Sequence, residues 1–283
     1  MSVYEVLGLW WVLPSGVALL GYGLALAGLT RAQRAVWVKA RIVAVGQPAH
    51  GASKRPGIPV TVAFQTPLTG EEFVLPNDGE HGDAIEEAWV GREVDVRYPR
   101  GQPHRYRIVL DMDERHGRVV PNCSVALLLV GLAIHASVVG GWPWALLGFG
   151  SLFTVAAAIS PDIRTARARD ALLASAVAVP ARVVAVTKDV HTDGEGDEIV
   201  SHTPVVTFTT REGVDVTVLS REGIPEPGRS LGRDLTLHYA PSDLTAYTPD
   251  RAADRRANAW AVATVVILLV TGIAAAVTGA LML

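Results

Sequence analysis

The clearest pattern in this chain is an alternation of apolar and polar residues that occurs twice. Residues 91–98 read GREVDVRY, and residues 232–239, which begin 141 positions further along, read GRDLTLHY. In both stretches a Gly-Arg-acid opening is followed by strict alternation, so that one side of the segment is apolar. A period of two with one apolar face predicts a half-buried β-strand. Its recurrence predicts a duplicated β-rich unit.

Further segments repeat in the same order and extend the predicted duplication. They are residues 40–45 with 181–186, residues 59–66 with 204–210, and residues 73–75 with 217–219. Turn-forming Gly and Pro residues separate these short segments, which is typical of small barrels and sandwiches. We therefore predict two all-β domains, copy 1 at residues 36–110 and copy 2 at residues 178–248. Within copy 1, residues 83–89 predict a short helix with Asp83 as its cap.

Long apolar stretches lie on either side of each copy. Because a spanning helix needs about 20 apolar residues, they predict four transmembrane helices, at residues 6–29, 122–139, 142–159 and 259–282. Residues 162–176 predict a juxtamembrane helix. An alternative for the first stretch is a signal peptide cleaved near Ala25-Leu26-Ala27. Glu5, with no Lys or Arg before the apolar run, favours a retained helix.

Together these elements predict a multi-pass α-helical membrane protein with four transmembrane helices and two duplicated small all-β cytoplasmic domains, barrel-like or sandwich-like. The composition agrees, because a mean hydropathy of +0.29 and a hydrophobic content of 49% are high for a soluble chain. We expect the lipid bilayer to be one partner of the protein.

Basic residues predict the orientation in the membrane. They cluster on the side of both β segments, so the positive-inside rule places those segments in the cytoplasm and both termini outside the plasma membrane. Basic side chains next to a membrane attract anionic lipid headgroups. The residues expected there are Arg31, Arg34, Arg164, Arg167, Arg169, Arg255 and Arg256.

The sequence contains no motif typical of an enzyme. It has no phosphate loop, nucleophile elbow, H-E-x-x-H or C-x-x-C, and Cys123 is its one cysteine. We expect no catalysis, no cofactor, no bound metal and, at a net charge of −3, no nucleic-acid partner. The densest polar segment, residues 188–202, lacks the closing Glu of a calcium loop. A metal-dependent enzyme using the loop from His191 to His202 is a less favoured alternative.

The loops between the first two strands of each copy have opposite charge. The loop of copy 1 carries Lys54 and Arg55, and that of copy 2 carries Asp193 and Asp197. If the two copies pack as an intramolecular pseudo-dimer, we expect these residues to form contacts between them, since opposite charges steer partners together.

Each copy resembles the bacterial domain-of-unknown-function family 3592. The shared features are a basic-flanked apolar span, an A-x-V-x-x-V-like strand, a P-x-V-x-F strand and G-x-x-V-x-V-x-Y-x-P. They fall at residues 40–45, 59–64 and 91–99 in copy 1, and at 181–186, 204–208 and 232–241 in copy 2, where Ala240 is inserted before Pro241. The resemblance implies a membrane-anchored β domain with no known activity.

We therefore expect a non-enzymatic interaction, scaffold or envelope-sensing module whose protein partners the sequence does not identify. An accessory subunit of a transport or secretion complex is the second hypothesis.

Overall fold

The computed structural model describes residues 10–67, 69–79, 81–110, 119–192, 194, 196–220 and 223–283. These residues form two compact units. The helical unit consists of the described parts of Met1–Arg34, Asp111–Arg167 and Ala257–Leu283. The β unit consists of the described parts of Ala35–Leu110 and Ala168–Arg256, and so contains both copies.

The helices follow the apolar stretches of the sequence. They are α1 (Val12–Leu26), α2 (Arg31–Arg34), α3 (Val119–Gly140), α4 (Trp142–Ile159), α5 (Asp162–Ala174) and α6 (Arg251–Leu281). Gly141, with a φ of +78°, separates α3 from α4, a conformation that glycine adopts without steric cost. By length and composition, three described stretches could cross a membrane: Pro121–Gly140, Trp142–Ala174 and Arg251–Leu281. The predicted first span begins outside the described residues, and α1 itself is shorter.

The strands in the described part of the chain form one sheet of five and one of six. They are β1 (Val36–Val45), β2 (Val60–Gln65), β3 (Glu72–Asn77), β4 (Glu87–Trp89), β5 (Glu93–Tyr98), β6 (Arg107–Val109), β7 (Val177–Thr192), β8 (Glu198–Thr209), β9 (Asp215–Leu219), β10 (Asp234–Ala240) and β11 (Asp243–Thr248). The first sheet has the order β3-β2-β1-β5-β6, and the second β11-β10-β7-β8-β9-β4. One of the two sheets is nearly barrel-shaped, and in the second sheet the Tyr247 hydroxyl of β11 donates to the Leu219 carbonyl of β9 at 3.0 Å.

The strand registers repeat between the copies. β1 pairs with β5 from Val36 opposite Tyr98 to Arg41 opposite Glu93. β7 pairs with β10 from Val177 opposite Tyr239 to Arg182 opposite Asp234, an offset of 141 at every rung. Both first strands also contain a bulge, between Ile42 and Ala44 and between Val183 and Ala185. These registers support the repeat that the alternating segments predict.

The predicted match of the third strands is wrong by one residue. Phe64 pairs with Phe73 in the first sheet, and its equivalent Phe208 pairs with Val216 in the second. Val216, not Thr217, is therefore the counterpart of Phe73. The reason is a turn that is one residue shorter in copy 2, which similarity between apolar residues alone does not reveal.

Two hydrophobic cores lie in the β unit, and the first of them contains residues of both copies. Ile42, Val62 and Val96 of copy 1 pack with Ala185 and Val205 of copy 2. On the other side of the second sheet, Val206, Val218 and Leu237 belong to the second core. The central strands of the second sheet are thus buried on both faces.

The predicted fold class, a multi-pass α-helical membrane protein with two duplicated small all-β domains, is wrong. The described chain is a mixed α and β protein with few helices and eleven strands in two sheets. The copies share one unit because a segment of about 70 residues buries little apolar surface alone. The short helix predicted at residues 83–89 is also wrong. The segment ends in β4, and Asp83 accepts a hydrogen bond from the Leu110 amide at 2.8 Å.

Candidate interface between the two β segments

The main joint between the copies is a strand of copy 1 added to the sheet of copy 2. β4 pairs antiparallel with β9, with Glu87 opposite Val218, Ala88 opposite Thr217 and Trp89 opposite Val216. The Leu219 amide donates to the Glu86 carbonyl at 2.8 Å. Ala88 is fully buried and belongs to the first core, whereas Trp89 packs against the second core. Both cores therefore depend on this short strand.

A partly buried ion pair lies beside this joint. The Arg92 guanidinium donates to the Glu87 carbonyl, lies 3.4 Å from the Glu87 carboxylate and stacks 4.9 Å from the Trp89 ring centroid. Burial raises the pKa of Glu87, and the nearby Glu86 and Asp243 raise it too, although Arg92 lowers it. Arg92 thus only partly offsets the cost of burying this carboxylate.

The second joint is a loop of copy 1 that lies along β7. The Gly51 amide donates to the Val186 carbonyl at 2.8 Å, and the Lys188 amide donates to the Ala52 carbonyl at 2.9 Å. The Asp189 carboxylate accepts hydrogen bonds from the Ser53 hydroxyl at 2.5 Å and the Lys54 amide at 3.2 Å. We call this set of hydrogen bonds the loop contact.

Electrostatics favour the charged form of Asp189. The hydrogen bond from Ser53 lowers its pKa most, and the Lys54 amide and the charges of Lys54 and Arg55 lower it further. A carboxylate that accepts such bonds is stabilised in its ionised state. The loop contact is therefore fully formed at neutral pH.

The two predicted loops do meet, but the described contacts involve other groups than the predicted charged side chains. Lys54 takes part in the loop contact through its backbone amide, and Arg55 is exposed. Asp197 is exposed in the hairpin between β7 and β8, and Asp193 lies outside the described residues. The carboxylate that contacts copy 1 belongs to Asp189, near the start of the same polar segment. Sequence reasoning missed it because β7 and β8 continue as strands to Thr192 and from Glu198, whereas that segment predicts a loop.

Each copy also carries an open groove at an equivalent place. The groove of copy 1 has a volume of about 870 Å³ and is lined by Arg41, Glu72 and Glu93 among others. That of copy 2, about 630 Å³, is lined by the equivalent residues Arg182, Asp215 and Asp234, and also by Val45 and Val90 of copy 1. Each groove thus combines one guanidinium with two carboxylates, which suits binding of a polar, charged surface, and the groove of copy 1 also contains the Lys39 ammonium, 3.3 Å from the Glu93 carboxylate.

The described residues contain no cluster of three or more His, Cys, Asp or Glu side chains that could hold a metal ion. His191 pairs with Ile199 across the hairpin and is exposed. His202 is partly buried, and its ring lies next to Gly228. The predicted alternative of a metal-dependent site between these two residues remains a prediction, since Asp193 and Glu195 lie outside the described residues.

The basic residues expected at the membrane surface differ in their contacts. The guanidinium of Arg169 lies 2.8 Å from the Asp254 carboxylate and donates to the Tyr247 carbonyl at 2.8 Å. Arg256 donates to the Ala252 carbonyl at 3.2 Å and is exposed. The side chain of Arg31 lies outside the described part of the chain. The other residues of this set are exposed: Arg34, Arg164, Arg167 and Arg255.

No family model, curated protein or solved structure matches this chain. The resemblance to family 3592 accordingly remains a prediction.

Proposed function

We propose that this chain is a membrane-anchored, non-enzymatic binding module in which both β segments act as one body on the cytoplasmic side. The observation that carries the proposal is the pairing of β4 with β9, which joins the two copies in one sheet. A rigid body with two equivalent grooves is suited to binding a protein partner.

Exposed apolar side chains on the helices support membrane anchoring. Leu26 of α1 is 81% exposed, Val138 of α3 is 79% exposed and Leu281 of α6 is 83% exposed. In each of the three stretches long enough to span a membrane, only 11–12% of the most apolar window is buried. So much apolar surface is unfavourable in water, whereas lipid removes it from water at little cost.

The shared sheet also limits the topology. Because hydrogen-bonded strands of one sheet cannot lie on opposite sides of a bilayer, the shared sheet supports the proposal that both copies lie on the same side. The basic residues next to the β segments support a cytoplasmic location for both copies.

Two experiments test the anchoring and the orientation. After alkaline carbonate extraction of native membranes, the chain is expected in the pellet, and its release into the supernatant would contradict membrane anchoring. Reporters inserted near residues 60 and 205 are expected to give a cytoplasmic signal. An external signal from either position would contradict the proposed orientation.

Affinity purification from native membranes after mild crosslinking tests the binding role. A stoichiometric protein partner is expected, and its recovery should fall when both groove arginines are reversed by Arg41→Glu and Arg182→Glu. Exposed Arg229, which lines neither groove, provides the matched control Arg229→Glu. Equal recovery with all variants would exclude the grooves as the binding surface.

A further inference from the structure

Several strand edges of the β unit are covered by other parts of the chain. β4 covers β9, and the loop contact covers β7 near Val186 and Lys188. On β6, Ile108 exchanges backbone hydrogen bonds with His81 and Asp83. Covered edges of this kind prevent pairing with foreign strands. A strand edge that is left uncovered is therefore a candidate site for pairing with another chain.

The hairpin formed by β7 and β8 extends beyond these covers. Val190 pairs with Val200, and His191 pairs with Ile199. We call residues 190–192 and 198–200 the arm. Its apolar side chains are open to solvent, with Val190, Ile199 and Val200 exposed by 47%, 48% and 42%. A two-stranded ribbon is only marginally stable in water without further packing. We therefore expect a binding partner to stabilise the arm.

The register determines which backbone groups of the arm point outward. The backbone groups of Val186 and Lys188 form hydrogen bonds with the loop of copy 1. The N–H and C=O groups of even-numbered residues in this part of β7 therefore point away from β8. Alternation in an antiparallel ladder then directs the N–H and C=O of Val190 and of its cross-strand neighbour Val200 outward. Pro204 is also even-numbered, and its carbonyl accepts a hydrogen bond from the Ser220 amide at 2.9 Å on the side of β8 that faces away from β7. The backbone groups of Val200 point to that same side. Among the described residues, Val200 has no backbone partner on that side.

We propose that the β8 edge of the arm binds an extended basic segment of a protein partner by strand addition. In this mode backbone hydrogen bonds supply affinity and alternate side chains supply specificity. Residues 193–198 carry four acids and no Lys or Arg, and Glu198 on β8 is exposed. The opposite edge, on β7, lies beside the loop of copy 1 that carries Lys54 and Arg55, and these two cations disfavour a basic ligand there. The inference goes beyond the proposed function, because it adds a second binding surface outside the two grooves and names the class of its partner.

The probe is a capped nine-residue peptide that alternates Lys and Val, titrated against the full chain in lipid nanodiscs. The comparison peptide has Glu in place of Lys. Tighter binding of the Lys peptide by at least tenfold is expected, and the difference should shrink at high salt because exposed charges are screened. Equal binding of the two peptides would overturn the proposal.

Two proline variants at opposite edges of the arm locate the site. Val200→Pro removes the outward N–H of β8 without removing a β7–β8 hydrogen bond, and Val190→Pro does the same on β7. Val200→Pro is expected to weaken peptide binding at least tenfold, and Val190→Pro to leave it within twofold. Unchanged binding in both variants, or loss in both, would overturn the assignment to the β8 edge.

Two further measurements keep the test independent of folding and of self-association. Val200→Ala, which preserves the backbone, should weaken binding about threefold with an unchanged melting temperature, and full affinity in this variant would argue against a contact with Val200. A dimer in sedimentation experiments that Val200→Pro abolishes would identify a second copy as the occupant and overturn the proposed partner. Either failure would leave membrane pelleting and groove-dependent partner recovery unchanged, so the proposed function is tested separately.

Discussion

Strands β3 and β9 occupy the same place in the two copies, yet their surroundings differ. In β3 only Asn77 is buried, and Val74 is 56% exposed. In β9 the last four residues are all buried, and Thr217, the counterpart of Val74, is 8% exposed. The difference is caused by copy 1, which contributes β4 to the edge of β9 and packs its core against one face of the second sheet. Duplicated sequences have thus become non-equivalent through their mutual contact.

One pair of residues explains why only one of these edges accepts a strand. Leu219 donates its amide to the carbonyl of Glu86, directly before β4, and its counterpart in β3 is Pro76, which has no N–H to donate. The Tyr106 hydroxyl also occupies the Pro76 carbonyl at 2.7 Å. Burial, aided by Asp78, raises the pKa of Tyr106 to about 12, so this hydroxyl remains a donor at neutral pH. Edge prolines are a known protection against strand addition.

Leu219→Pro is expected to have the largest effect, because it converts the β9 edge into the β3 type. It removes the hydrogen bond to Glu86 and a side chain that is only 4% exposed. The free energy of unfolding should fall by about 3 kcal/mol. Chemical denaturation in detergent measures this change. Leu231→Pro, at an exposed turn position of the same copy, is the control, and an equal loss there would contradict the special role of Leu219.

Asp189→Asn should destabilise the β unit by about 1–2 kcal/mol at pH 7, since it weakens charge-assisted hydrogen bonds of the loop contact. The pKa of Asp189 is lowered from its ordinary 3.8. Its contribution is therefore complete above pH 3.8 and is lost as the pH falls through the lowered value. Melting temperatures of the variant and wild type should converge in acid. Asp215→Asn, an exposed acid that accepts a bond from Thr209, should show little difference at any pH.

Glu87→Gln should stabilise the joint at pH 7 by less than about 1 kcal/mol. Because the pKa of Glu87 is raised above its ordinary 4.5, ionisation weakens the fold as the pH rises from 4.5 through the raised value. The advantage of the variant should thus be present at pH 7 and vanish below pH 4.5. Thermal melts at both pH values test this, and an advantage confined to the acid side would contradict the role of burial.

Pro76→Leu is expected to change stability least, by about 0.5 kcal/mol or less. It restores an outward N–H on β3 and so gives this edge the donor that Leu219 gives β9. The expected result is concentration-dependent self-association in sedimentation velocity experiments, which Pro76→Ala should share because it restores the same donor. A strictly unchanged sedimentation coefficient for both variants would show that the proline does not protect the edge.

The sequence predicts the strands and helices of this chain better than it predicts their assembly. The alternation at residues 91–98 and 232–239 reflects the burial of one face of each strand, which is a local property. These two segments form β5 and β10, as predicted. The predicted fold class and the helix predicted at residues 83–89 are wrong because pairing of Glu87–Trp89 with a strand about 130 positions away in sequence overrides the local pattern. Asp189 could not be identified either, since its partners Ser53 and Lys54 approach it only in the folded unit.

Disulfide formation between engineered cysteines tests the central claim, the addition of β4 to copy 2, most directly. In a Cys123→Ser background, Ala88→Cys is combined with Thr217→Cys or with Val74→Cys, the register equivalent in copy 1. Under mild oxidation, mass spectrometry of peptides should find a disulfide between positions 88 and 217 and none between 88 and 74. A disulfide to position 74, or none to position 217, would contradict the account.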